Sequence, residues 1–228
     1  MMEYPIVLLP SEERSLHSSV STTKKNKKTG ASELVAFSHI MSLGLECIRE
    51  DVTVVIDGHR YEPDLVYMDR EKDIFVDIEI DEPYSGAHHP THYITSKGVH
   101  KDTRRNELFR KTGWYVVRFT ERQMFCETKS CMKVLFDLLL SVNAVESIPT
   151  CLMNVMDLKP EPCWAAEESK YKSYQCYRKT YLGYNPIKMD FLSYVRCCML
   201  IVPIIFQSFR NKRIRKMMLK QLRGFFFH

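Results

Sequence analysis

The alternation of apolar and polar residues is clearest in the middle of the chain. Ile74, Val76, Ile78 and Ile80 fall on one side of a period-two run, and Phe75, Asp77, Glu79 and Asp81 on the other, which predicts a strand with one apolar and one acidic face. Upstream, Val52-Thr53-Val54-Val55-Ile56 reads as a strand and Asp57-Gly58 as a hairpin turn. Arg60 to Met68 reads as the return strand, interrupted near its start by Pro63. Before these, Ser32 can cap a helix over residues 32–46. Its Val35, Phe37, Ile40, Met41 and Leu45 recur at helical spacing, with Glu33 in the first turn. Downstream, Asp102 can cap a helix that runs to Lys111 and stops at Gly113, and Trp114 to Thr120 is a fourth strand. Met132, Leu135, Leu138, Leu139 and Val142 mark the inward side of a helix over 129–142.

The predicted order is α-β-β-β-α-β-α. The first three strands make an antiparallel meander, and the helical crossover lets the fourth pair in parallel, giving an α/β fold on a mixed sheet. The loop from Glu82 to Lys101 carries His88, His89, His92 and His100; a loop that long inside a compact domain is often functional. Residues 1–29 read as an irregular basic leader and 30–145 as the folded domain. Pro149, Pro160 and Pro162 mark a linker over 146–163, and residues 164–228 read as a helical basic and apolar extension. In it, Tyr171, Tyr174, Tyr177 and Tyr181 form a stripe that serves either as packing surface or as a stacking platform.

Composition changes this picture in two ways. At 228 residues, with 45% hydrophobic and 27% charged, the chain is neither wholly disordered nor collagenous. The net charge of +5 hides a division: residues 30–158 hold 14 basic against 21 acidic side chains, a net −7, whereas 159–228 hold 14 against four, a net +10. Lys24-Lys25-Asn26-Lys27-Lys28 adds a basic run in the leader, either solvated or set against a polyanion. Eight cysteines form no CxxC pair, which argues against structural zinc. They read as free thiols in a reducing cytosol, and with no secretory signal at the start the expected location is cytoplasmic.

The acidic row carries the candidate chemistry. Three carboxylates on one strand face, spaced by roughly 6.5–7 Å, repel one another unless solvated or bound to cations. An exposed acidic face and a cation site are both consistent with the pattern. Asp64, after Pro63, can be brought beside the row by the hairpin. A hard cation such as Mg²⁺ or Mn²⁺ takes such oxygens and can assist phosphodiester hydrolysis.

Pro63-Asp64, then 14 intervening residues, then Glu79-Ile80-Asp81, resembles the PD-(D/E)xK nuclease signature. Asp102-Thr103-Arg104-Arg105-Asn106 and Gly113-Trp114-Tyr115-Val116-Val117-Arg118-Phe119 are similar to the domain of unknown function 559 group, itself related to very-short-patch-repair endonucleases. The likeness covers residues 30–145. It implies a restriction-endonuclease-like α-β-β-β-α-β core and an Mg²⁺-dependent enzyme, with DNA as the first expected partner and RNA as the second. Asp64 and Glu79 would be metal ligands, and Glu33 would contribute directly or through water. Asp81 stands where the superfamily usually has Lys, and is assigned as a further ligand. The missing positive role falls to His92 first, with His88 and His89 behind it. Arg105 and Arg118 are assigned to phosphate, with carboxylate pairing as the alternative for Arg118. Gln123 is an auxiliary candidate that either touches the site or caps the next helix, and Asp77 is a peripheral acid.

Two other functional classes stay open. The departure at Asp81 fits a catalytically inactive nucleic-acid-binding or assembly module. Residues 191–216, apolar but broken by Arg196 and Pro203 and flanked by a basic run, fit a helix packed on the core or a partner, a membrane contact, or a nucleic-acid-binding extension.

Overall fold

The computed structural model describes residues 2–22, 31–86 and 89–183. The basic run at 24–28, His88 and the segment 191–216 lie outside the described residues.

The chain opens with strands β1 (Glu3–Tyr4), β2 (Ile6–Leu8) and β3 (Ser18–Thr22). The expectation of an irregular leader is therefore corrected: Tyr4 and Ile6 are buried in a small cluster with Trp164. Helix α1 (Ala31–Ser42) follows. It ends short of residue 46, and Gly44 beyond it takes φ +78°, a left-handed conformation that stops a helix. Next come β4 (Ile48–Arg49), β5 (Val52–Ile56), β6 (His59–Tyr61), β7 (Leu65–Asp69) and β8 (Ile74–Asp81).

The expected meander is split. Proline at position 63 has no N–H to give a ladder, and the return strand breaks there. β6 pairs with β5, and β5 with β3, in a separate three-stranded sheet, whereas β7 pairs with β8. The turn at Asp57-Gly58 takes φ +50° and +74°, as its residues predict.

After β8 the loop forms a short ladder of β9 (Tyr84–Ser85) and β10 (His89–Pro90). Helix α2 (Thr103–Lys111) then crosses to β11 (Tyr115–Thr120), which pairs with β8 in parallel, Arg118 opposite Glu79 and Thr120 opposite Asp81. The main sheet has the order β2-β11-β8-β7-β4. The chain continues through α3 (Glu121–Cys126), α4 (Thr128–Ser141), α5 (Thr150–Met153), β12 (Glu161–Pro162), α6 (Ala166–Tyr174) and α7 (Lys179–Leu182). The segment expected to be a linker contributes β12, which pairs with β1. The helical extension expected from residue 164 begins with two short helices, α6 and α7, with Tyr171 and Tyr174 exposed on the first.

The sheet is covered on both faces. On one, Ile74, Val76, Ile78, Ile80, Val117 and Phe119 pack against α1, α3 and α4. On the other, Val66 and Val116 meet Phe109 of α2, Trp114, and Val52, Val54 and Ile56 of the second sheet. The protein is thus a mixed α/β fold. Both faces of β8 are buried, including the acidic one. No helix among the described residues is long and apolar enough to cross a membrane.

Candidate functional site

Alternation along β8 places Asp77, Glu79 and Asp81 together, and α2 covers them: Asp77 and Asp81 are 0% exposed and Glu79 is 7% exposed. An exposed acidic face is thereby excluded. Burying a carboxylate costs several kcal/mol unless its lone pairs are met, so the partners define the site.

Arg118 meets Asp81 from the neighbouring strand. Its Nε donates to Oδ2 at 2.8 Å and its Nη2 to Oδ1 at 2.7 Å. Its Nη1 donates to Asn106 Oδ1 at 3.1 Å, and its Nη2 lies 3.8 Å from Glu79 Oε2. Arg105, one turn into α2, reaches down onto the same face. It donates to both oxygens of Asp77, at 2.6 and 2.9 Å, and to Glu79 Oε1 at 2.7 Å. Its guanidinium sits 4.6 Å from the centre of the Phe109 ring. Both arginines expected at phosphate are thus held by carboxylates in forked pairs, the alternative raised for Arg118. Burial pushes the Asp77 carboxyl up to about 7, against the pull of Arg105. Burial also acts to raise Asp81, but Arg118 and His92 outweigh it and hold that carboxyl below its ordinary value. With both oxygens engaged by Arg118, Asp81 is a counter-ion, which removes it from the expected ligand set.

Asp64 precedes the Leu65–Ile78 pair and so comes opposite Glu79. The Asp64 N–H donates to Glu79 Oε1 at 3.2 Å, and the N–H of the next residue, Ile80, donates to Asp64 Oδ2 at 2.8 Å. The break at Pro63 makes this possible, because it releases Asp64 from the hairpin while leaving β7 in register.

A second layer surrounds Asp81. His92 adopts φ +47°, a left-handed conformation uncommon for a side chain with Cβ. Its neighbour Thr91 is pinned by a hydroxyl bond to the Glu82 carbonyl at 2.6 Å and by the Trp164 indole N–H, which donates to the Thr91 carbonyl at 2.9 Å. His92 Nδ1 lies 2.7 Å from Asp102 Oδ2 and 3.2 Å from Asp81 Oδ1. Burial would lower its pKa, but Asp81 and Asp102 raise it to about 9, so His92 is an imidazolium at neutral pH. Asp102 in turn is held well below the carboxylate range: burial opposes this, and the hydrogen bond and charge of His92 prevail. Asp102 stands at the helix start as expected, but its side chain makes no cap bond; the histidine has taken it.

His100 is buried and lowered by that burial, hence neutral. The Asp102 N–H donates to its Nδ1 at 3.3 Å, which leaves the proton on Nε2. Nε2–H faces Tyr4 Oη at 3.2 Å, and the Tyr4 hydroxyl donates to Asp81 Oδ2 at 2.8 Å. Tyr4 is the residue that sequence reasoning missed. The apolar run Ile6-Val7-Leu8-Leu9 behind it was the available signal that the leader folds.

Three candidates remain. Glu33 is buried in the first turn of α1, next to Ser32, whose hydroxyl donates to Glu121 at 3.2 Å. His89 is exposed on β10. Gln123 completes a capping box with Thr120 and also donates to the carbonyls of Tyr4 and Lys159; it is a cap and a strut. Among the described residues, no group of three or more His, Cys, Asp or Glu is arranged to hold a metal ion. Asp64 and Glu79 would be the oxygen donors to a hard cation, the one or two carboxylates that Mg²⁺ uses when phosphate and water complete its shell. Comparison with family models, curated proteins and solved structures finds no match.

Proposed function

We propose that the protein is a divalent-cation-dependent deoxyribonuclease on a restriction-endonuclease-like core. The observation that carries the reading is the backbone bonding that brings Asp64 to Glu79, with the Asp64 N–H donating to Glu79 and the neighbouring Ile80 N–H donating to the Asp64 carboxylate, while Arg105 also donates to Glu79. Asp64 and Glu79 would hold Mg²⁺ or Mn²⁺. Such a cation, when bound, polarises a phosphodiester and makes the attacking water more acidic.

The chain's own groups supply the rest. Asp81 fixes Arg118 so that its Nη2 stands 3.8 Å from Glu79, delivering from β11 the positive charge that a strand lysine would bring. His92 keeps its Nδ1 proton toward Asp102 and Asp81, so Nε2–H is the proton it can give to a leaving oxygen. Arg105 orients Glu79 through Oε1.

The test uses purified full-length protein with plasmid, linear duplex and single-stranded DNA, and RNA as a comparison arm, in Mg²⁺, Mn²⁺ or EDTA. Metal-dependent cutting that is lost in Asp64→Ala and Glu79→Ala is the expected result. No cutting of any substrate, or equal cutting by both variants, overturns the enzyme reading. One observation favours a second reading, an inactive nucleic-acid-binding or assembly module: Arg105 and Arg118 are already bound to acids. Salt-dependent DNA binding without cleavage would select it.

A further inference from the structure

A cavity of about 290 Å³ opens beside this site, lined by His59, Tyr61, Lys101, Asp102, Arg104 and Arg105. It lies between the β5–β6 hairpin and the start of α2, and it shares Arg105 and Asp102 with the buried network. Three of the six lining residues are cationic and one is acidic. Asp102 is engaged by His92 at 2.7 Å and Arg105 by Asp77 and Glu79, so the positive charge the cavity presents is that of Lys101 and Arg104, although residues 30–158 are net −7. Lys101 and Arg104 are exposed. One wall is rigid: Tyr61 packs edge-on against Phe109 with ring centres 5.5 Å apart, and Arg105 lies over that same Phe109 ring at 4.6 Å. The volume is at the lower end for small-ligand sites, room for one sugar-phosphate unit and not for a longer stretch.

We infer that this cavity is a nucleotide subsite that holds the backbone phosphate next to the scissile one on DNA. The inference deepens the nuclease reading and rests on it for the identity of the ligand. Lys101 and Arg104 neutralise the phosphate from the open side. Tyr61 walls the sugar. Arg105, bonded at once to Asp77 and Glu79, links an occupied subsite to the carboxylate that would hold the cation, so engagement of the flanking phosphate and positioning of Glu79 are parts of one contact set. Phosphate contacts of this kind position the strand and carry no base identity.

The test measures binding of a labelled 20-nucleotide DNA, single-stranded and duplex, by fluorescence anisotropy in EDTA across a salt series. Comparison is between the wild type, Lys101→Ala/Arg104→Ala, and Arg70→Ala, a basic side chain beyond the far end of β7. Each lost phosphate contact lowers the slope of log K against log salt by about 1. Lys101 and Arg104 meet one phosphate, so the double variant is expected to lose about 1 from the slope, and Arg70→Ala to leave it unchanged. A merely structural effect would weaken binding without moving the slope. An unchanged slope in the double variant, an equal change in Arg70→Ala, or no salt-dependent binding by the wild type overturns the subsite. Because EDTA removes cleavage, the two readings separate: a lost slope in a protein that never cuts keeps the subsite and sinks the enzyme, whereas cutting with an unmoved slope does the reverse. In a protein that cuts, the double variant raises KM.

Discussion

Two pairs of acids, three of the four on one face of β8 and Asp64 just before β7, are held differently. Asp81 and Asp77 are closed: each has both oxygens taken by one arginine, and each is fully buried. Glu79 and Asp64 are held another way: each accepts from a backbone N–H, and Arg105 adds one bond to Glu79. The closed pair is counter-charge for Arg118 and Arg105. The second pair would supply the ligands of the proposed cation. The difference lies in which element delivers the partner: β11 and α2 bring forked guanidinium groups to Asp81 and Asp77, whereas Glu79 receives a single Arg105 bond and, through the Pro63 break, the Asp64 N–H.

The strongest challenge to this contrast is Arg118→Ala. It leaves Asp81 buried and uncompensated, and removing one member of a buried pair costs about 3–5 kcal/mol. Urea denaturation is expected to show that loss, and a change within 1 kcal/mol would show that Asp81 is not a structural counter-ion. Next is Glu79→Gln, which keeps the shape and one acceptor oxygen for the Asp64 N–H and Arg105. Its unfolding midpoint is expected to fall less than that of Arg118→Ala, because Arg105 keeps its fork to Asp77, while DNA cleavage falls on the order of 100-fold or more, about 3 kcal/mol at 1.4 kcal/mol per factor of ten. A variant that unfolds early and cuts normally would reverse the roles of the two pairs.

A smaller effect comes from pH. The folded pKa of His92, about 9, lies above the ordinary 6.5. Its ion pairs therefore stabilise fully below pH 6.5, and that contribution is lost as pH rises through 9. The wild type is expected to lose on the order of 2 kcal/mol across this window relative to His92→Gln; parallel stability profiles would contradict the assignment of His92 as imidazolium. The smallest effect is Tyr4→Phe, which removes one hydrogen bond to a buried carboxylate and is expected to cost about 1.5 kcal/mol, read as a lowered thermal midpoint.

The parts of this site that could be read from sequence are those set by local pattern. The strict alternation from Ile74 to Asp81 defined a strand and divided its faces, and Asp57-Gly58 and Gly113 took the left-handed conformations their positions required. What stayed hidden depended on partners distant in sequence. Alternation says which side chains share a face, not whether that face is covered; α2 covers it, carrying Arg105 across 28 positions to Asp77. Asp102 satisfied a local capping rule at its helix start, yet His92 outcompeted the cap. Tyr4 could not be placed because strands as short as β1 and β2 exist only through their pairing with β12 and β11.

The central claim is that Asp64 and Glu79 form the cation pair and that no third carboxylate of the row is needed. Calorimetric titration of Mn²⁺ into the full-length protein tests it most directly, with Asp64→Asn and Glu79→Gln as comparisons. Saturable binding by the wild type that is lost in both variants is the predicted result. No binding by the wild type, or binding that survives in both variants, would contradict the account.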